Sequence, residues 1–225
     1  MNNLQLIWSS LPNLLGGALV TIKLTAASLA IGIVLGIPLA FGQIYGNRLI
    51  KGLISIYERL FRSIPLLVIL FLVFYGFPYA GIRLPDFLAA VLGIGLRSAA
   101  YQSQIYRGAI QSVSNTQMKA ALSMGMTKLQ SFFHVILPQA IRFAIPSFSN
   151  EAAIVLKDTS LAYALGVIEL LRQGYYVIAT SYEPMAIFLA VAAIYLVMTV
   201  SLNMVLTRIE NKLKIPGIGI EGSSQ

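Results

Sequence analysis

Three charged side chains stand within apolar runs long enough to cross a bilayer: Lys23, Arg97 and Glu151. Charge at membrane depth is costly and marks function by default. Arg97 falls about 10 residues into its run, roughly 15 Å deep at 1.5 Å per residue. Glu151 falls about 12 residues into the next run from the opposite end, roughly 18 Å. In a hydrocarbon core about 30 Å thick those depths nearly coincide. Two chemistries follow. The two groups can pair with each other and fix helix packing. Alternatively they hold opposite ends of a zwitterion, with the Arg97 fork on a carboxylate and Glu151 on an amino or guanidinium group. Lys23 sits a few turns into the first run, where its stem can snorkel outward. Lys157, Asp158, Thr159 and Ser160 end the run that holds Glu151. They can line a gate, or Thr159 and Ser160 can cap a following helix around Leu161 to Leu171. A single histidine, His134, excludes multi-histidine metal sites, and the lack of cysteine excludes disulfides and thiolate sites.

A second constellation interrupts the apolar pattern. Lys119-Ala120-Ala121-Leu122-Ser123-Met124-Gly125 is followed by Met126 and, further on, by Ile136-Leu137-Pro138. Asn115 and Thr116 are suited to cap a helix beginning near Gln117. Gly125 is suited to end it. Thr127 then caps a second helix, with Gln130 completing a capping box. Leu129, Phe132, Phe133 and Ile136 follow i, i+3, i+4, i+7 spacing and predict one apolar face. Pro138 suits the first turn of the next helix and restricts Leu137 to an extended conformation. The expectation is a rigid module of two short helices braced by the next span. A surface loop lying on the bilayer is the alternative.

The elements that must position these groups follow from composition. The chain has 225 residues, 57% hydrophobic and only 11% charged. A soluble domain carries about 25% charged residues. This is therefore an all-α membrane protein, with its backbone satisfied inside helices. Five spans are expected: Leu14 to Phe41, Ile64 to Tyr79, Phe87 to Tyr106, Gln139 to Leu156, and Pro184 to Leu206. They form one transmembrane domain over residues 1–225, with the module at 115–138. The first span is expected to be retained, because Met1 to Pro12 carry no basic n-region.

Loop charge orients the bundle. Arg48, Lys51, Arg59 and Arg62 lie between spans one and two. Arg107, Lys119, Lys128 and Arg142 lie between spans three and four, and Arg208, Lys212 and Lys214 follow span five. The other side has Arg83, Lys157 and Arg172, with Asp86, Asp158, Glu169 and Glu183 among them. The positive-inside rule then places the N-terminus outside and the C-terminus and module in the cytoplasm of a multi-pass cell-membrane protein. The net charge of +8 is explained in the same way and does not call for nucleic acid.

The module resembles the Glu-Ala-Ala loop of ABC importer permeases, a pattern of Glu-Ala-Ala, a Gly four residues on, then Ile-x-Leu-Pro. Ala120, Ala121, Gly125, Ile136, Leu137 and Pro138 match in register. Arg62-Ser63-Ile64-Pro65-Leu66-Leu67, Ala99-Ala100-Tyr101 with Arg107-Gly108-Ala109-Ile110, Leu137-Pro138-Gln139-Ala140, and Lys157-Asp158-Thr159-Ser160-Leu161 are similar to further segments of the polar amino acid type, the histidine/glutamine/arginine permeases. The resemblance covers nearly the whole chain. It implies the type I importer permease fold, with a coupling helix that docks on an ATPase subunit through Lys119, Ala120, Ala121, Ser123, Gly125, Met126, Leu137 and Pro138. It further implies a second permease subunit, identical or related, and an extracellular binding protein that delivers an amino acid. Glu151, Arg97, Gln104, Asp158 and Thr159 are the residues expected to meet that substrate. Two departures from the pattern stand out. The family's acidic first residue is Lys119 here, which cannot close a capping box with Thr116. The family often has glutamate where this chain has Gln104.

The chain contains no G-x-x-x-x-G-K-[ST] phosphate loop. ATP and magnesium are therefore expected on the partner ATPase, and no cofactor on this chain. A stand-alone ion-coupled carrier or channel is the alternative, although no two similar halves with broken helices are evident. A membrane enzyme would need clustered acid-base or metal ligands.

Overall fold

The computed structural model describes residues 3–213. Lys214, expected among the cytoplasmic charges, lies outside them. The described residues form helices α1 (Asn3–Tyr45), α2 (Arg48–Ser63), α3 (Leu66–Gly76), α4 (Asp86–Ser112), α5 (Asn115–Ser123), α6 (Lys128–Ser131), α7 (Leu137–Asp158), α8 (Leu170–Ser181) and α9 (Pro184–Leu213). Two 3-10 turns, Phe77–Ala80 and Thr159–Leu165, and one π turn, Phe132–Ile136, join them. No strand occurs among the described residues.

The centre is the packing of α1 on α4. Where lipid surrounds a bundle, close packing rather than hydrophobic exclusion holds helices together, and small residues permit it. A Cβ on Gly95 would come within 2.8 Å of Ile31, and one on Gly36 within 3.1 Å of Gln102. Around this seam lie three apolar clusters. One joins Leu24, Leu70, Ile94 and Val155, uniting α1, α3, α4 and α7. A second joins Ala40, Ile110, Phe132 and Ile136 beside the module. A third joins Leu14, Leu170, Val177 and Ile187, packing α1, α8 and α9.

Two helices, α1 and α9, are long and apolar enough by themselves to cross a membrane. The pair α2 and α3 qualifies as a third only if taken as one broken span, bent by 108°. Helices α4 and α7 have the length, about 40 and 33 Å at 1.5 Å per residue. Their polar residues Ser98, Gln102, Ser103 and Glu151 are buried inside the bundle.

The expected second span, Ile64 to Tyr79, is corrected. Its helix covers only Leu66–Gly76, about 17 Å, or half a hydrocarbon core. Pro65 forces the turn, because it holds its own φ and drives Ile64 to an extended ψ of 133°. The preceding stretch, taken as a charged loop, is instead the helix α2. Asn47 caps it by accepting a hydrogen bond from the Ile50 amide at 2.9 Å. Arg208 and Lys212, assigned to a tail, lie inside α9.

Candidate functional site

Helix α4 carries two adjacent polar stripes. The first is buried. Ser98 and Gln102 are 1% and 0% exposed, and Tyr106 follows at the same spacing. Tyr106 Oη donates to Gln102 Oε1 at 2.7 Å, Gln102 Nε2 to Ser98 Oγ at 3.0 Å, and Ser98 Oγ to Glu151 Oε1 at 2.8 Å. Burial in low dielectric makes such a chain worth keeping only when every member is satisfied, and here each is.

The second stripe is open. Arg97 forms the salt bridge of the site with Asp158, and both side chains are about one-fifth exposed. Its guanidinium also lies over the Tyr101 ring, 4.9 Å from the centre. Arg62 reaches the same ring from α2 at 5.1 Å. Gln104 continues the stripe into a cavity that it lines with Tyr101, Arg107 and residues of α2.

The expected pairing is therefore corrected. Arg97 bonds Asp158 rather than Glu151, and Glu151 is held by Ser98. Depth alone put Arg97 opposite Glu151. Arg97 lies on the open stripe of α4, and Asp158, two turns beyond Glu151, is the carboxylate that meets it there. Thr159 is fully buried, and its hydroxyl donates to the Leu156 carbonyl at 2.6 Å. It caps no helix from Leu161 to Leu171. That stretch begins as a 3-10 turn, and α8 starts at Leu170 with Glu169 as its cap. Glu169, 0% exposed, accepts from the Leu171 and Arg172 amides and from Tyr195 Oη. Lys23 is exposed on α1.

The sequence also concealed a carboxylate. Glu58, which was not singled out in the sequence, is 5% exposed and accepts from Ser103 Oγ at 2.8 Å and from Gln43 Nε2 at 3.3 Å. A signal for it was available. Leu49, Leu53, Ile56 and Leu60 repeat at helical spacing opposite Ser55, Glu58, Arg59 and Arg62.

The module is built largely as its spacing predicts. Helix α5 begins at Asn115, capped by Ser114 rather than by Asn115 or Thr116: Ser114 Oγ accepts from the Thr116 amide. Gly125 ends it at φ 84°. Thr127 and Gln130 form the capping box, with bonds of 3.2 and 2.8 Å. Two further expectations change. Leu137 is helical rather than extended, so the π turn runs directly into α7 with Pro138 in its first turn. The π turn also splits the expected apolar face. Phe132 and Ile136 are buried while Leu129 and Phe133 are 56% and 54% exposed. Phe132 roots the module against Phe41 of α1, ring centroids 4.7 Å apart. Of the expected docking residues, Ala121 is buried, Met126 and Leu137 are half-buried, and Lys119, Ala120, Ser123, Gly125 and Pro138 are exposed. Between them Met124 is 81% exposed. His134 is exposed, with Nδ1 3.0 Å from the Gln130 carbonyl.

Comparison with known proteins agrees with this architecture. A family model described as the binding-protein-dependent transport system inner membrane component matches residues 32–215. The glutamine transport system permease protein of Escherichia coli K12 is 34% identical over 211 residues, covering 93% of this chain and 96% of that one. The nopaline transport system permease protein of Agrobacterium fabrum C58 is 37% identical over 208 residues, covering 88% and 86%. A crystal structure of an amino acid ABC transporter with histidines matches with TM-score 0.84 at 32% identity, over 94% of this chain and 99% of that one. The inward-facing MetNI methionine ABC transporter shares the fold, with TM-score 0.76 at 19% identity. The match spans most of the sequence and places the polar stripes of α4 and the capped module inside one fold: the chain belongs to the family of inner membrane components of binding-protein-dependent transport systems.

Proposed function

We propose that this chain is the membrane permease subunit of an ATP-driven importer for a polar or charged amino acid. An extracellular binding protein delivers the substrate, and a separate ATPase subunit supplies the energy. The observation that carries this reading is the near full-length likeness, in sequence and fold together, to an amino acid ABC transporter. Five spans complete the reading, formed by α1, the broken pair α2 and α3, α4, α7 and α9, with the N-terminus outside. Segment 115–138 is then the cytoplasmic coupling element of a single domain. Its exposed end at Met124 and Gly125, rooted by buried Phe132, passes displacement to α1 and α7 because rigid helices do not absorb it. A second permease, identical or related, closes the path.

For the substrate, Arg97 and Asp158 are the poised pair. In the resting chain they neutralise each other. A zwitterion inserted between them offers a carboxylate to the Arg97 fork and an ammonium to Asp158, so neither charge is left unpaired as the other's partner departs. Glu151, Gln104 and Thr159 shape the surroundings of that exchange. The test is reconstitution with the ATPase and binding protein in proteoliposomes, following labelled glutamine, arginine and cystine. ATP-dependent uptake of at least one is expected. Uptake driven by an ion gradient without the ATPase would overturn the reading in favour of a stand-alone carrier.

A further inference from the structure

The cavity between α2 and the module end of α4 is chemically unlike a solvated loop. Its volume is about 420 Å³, within the range of small-molecule sites, roughly 300–1,000 Å³. Arg59, Arg62 and Arg107 contribute three guanidiniums to its wall, with Tyr101 and Gln104 between them and Glu58 alongside. None of the three arginines forms an ion pair among the described residues. Glu58 is 5% exposed and likewise has no cation partner there. Each of its oxygens accepts one bond from a neutral donor, Ser103 or Gln43. A carboxylate offers about four acceptor positions, so capacity remains. A charge run that was only solvated would not bury its acid.

Helix α2 explains how such a wall is made. It is amphipathic in the inverted sense. Its apolar side chains Leu49, Leu53, Ile56 and Leu60 are 70%, 59%, 57% and 52% exposed, while Glu58 points inward. A helix with its polar face inside and its apolar face outside suits lipid around a polar path. The cavity lies on the module side of Arg97, because Arg107 follows Arg97 by about 15 Å along α4. Tyr101 joins the two regions, since the guanidiniums of Arg97 and Arg62 both lie over its ring.

We propose that this cavity is a second amino acid site, inward of Arg97, in which Arg62 and Arg107 hold the α-carboxylate and Glu58 holds the α-ammonium before release. Its inward position rests on reading the chain as an importer permease. Glu58 and Arg62, one turn apart on α2, and Arg107 across the cavity on α4 offer both charges that a zwitterion needs, whereas a simple anion has no use for the acid. The carboxylate passes from the Arg97 fork to the Arg62 fork across the face of Tyr101, without crossing an interval free of cations.

The chain has no cysteine, which permits a located test. Ser63 lines the cavity and is exposed. The S63C variant of the assembled transporter, in inside-out vesicles, is labelled with a membrane-impermeant thiosulfonate. L-glutamine and L-arginine serve as probes, each beside its α-carboxamide. At least one amino acid is expected to slow labelling about tenfold, its carboxamide not at all. Adding R62Q and R107Q is expected to abolish the protection. The proposal is overturned if no probe protects, if acid and carboxamide protect equally, or if protection survives the double substitution. It is also overturned if only added anionic phospholipid protects, which makes the cavity a headgroup site. If the double variant does not assemble, the acid-to-carboxamide comparison on S63C alone decides. ATP-driven uptake by S63C in right-side-out vesicles is read in parallel. Uptake without protection sinks the inner site alone, whereas absent uptake of every probe in the unsubstituted transporter as well sinks the importer reading.

Discussion

Gly125 offers a test of the module in which backbone and size effects separate. Helix α5 ends in a paired motif, with the Gly125 amide donating to the Leu122 carbonyl at 3.0 Å and the Met126 amide to the Ala121 carbonyl at 3.2 Å. This closure requires the left-handed conformation at the residue after the cap, and Gly125 supplies φ 84°. A Cβ placed there meets nothing within 4 Å. Substitution therefore strains the backbone without any clash inside the chain. Alanine in this region costs about 1–2 kcal/mol, whereas asparagine visits it readily. Such a cost lowers occupancy of the closed motif by roughly 5–30-fold, and valine, β-branched, fares worse. The assay is ATP-driven uptake and substrate-stimulated ATPase activity in proteoliposomes for Gly125→Asn, Gly125→Ala and Gly125→Val. Activity should fall in that order, with asparagine close to the parent. If valine equals the parent, the module does not transmit motion. If asparagine is worse than alanine, bulk against the partner governs the site and the backbone argument is wrong.

Three further outcomes are expected. Gly32→Ala places a Cβ 2.0 Å from buried Gln102 Nε2, so it should destabilise the α1–α4 seam by about 1–3 kcal/mol, seen as a lower melting temperature in detergent; an unchanged melt would show that Gln102 relocates freely. Thr127→Ala removes the capping box of α6 and should cost about 1 kcal/mol locally. Uptake should drop with the global melt nearly unchanged, and equal loss of both would assign Thr127 to the core. Asp158→Asn leaves Arg97 without its ion-pair partner and should weaken amino acid binding about tenfold, measured by equilibrium dialysis on the assembled transporter. Unaltered binding of every transported amino acid would remove the pair from the site.

Much of the scaffold was legible in local pattern. Long apolar runs specify α1 and α9 because a helix in lipid must satisfy its own backbone and needs only apolar side chains to do so. Thr127, Gln130 and Gly125 announced the module because caps and left-handed closures are chemical requirements met within four or five residues. Arg97 and Asp158 were visible as costly charges near apolar runs. Their partnership was not, because an ion pair depends on the rotation of α4 against α7, and residue counting along each span supplies depth without direction. The same limit hid Glu58. Its neighbours along the chain are basic and suggested a cytoplasmic loop. Only the bend at Pro65 and the packing of α2 on α4 turn that polar face inward, toward Ser103 and Gln43. Local pattern was enough for the long apolar helices, the Thr127–Gln130 capping box, the Gly125 helix end and the membrane class, since those depend on near neighbours. The tertiary structure alone decided which charges meet and which polar faces enclose a cavity, since these depend on contacts between residues 45 to 61 positions apart.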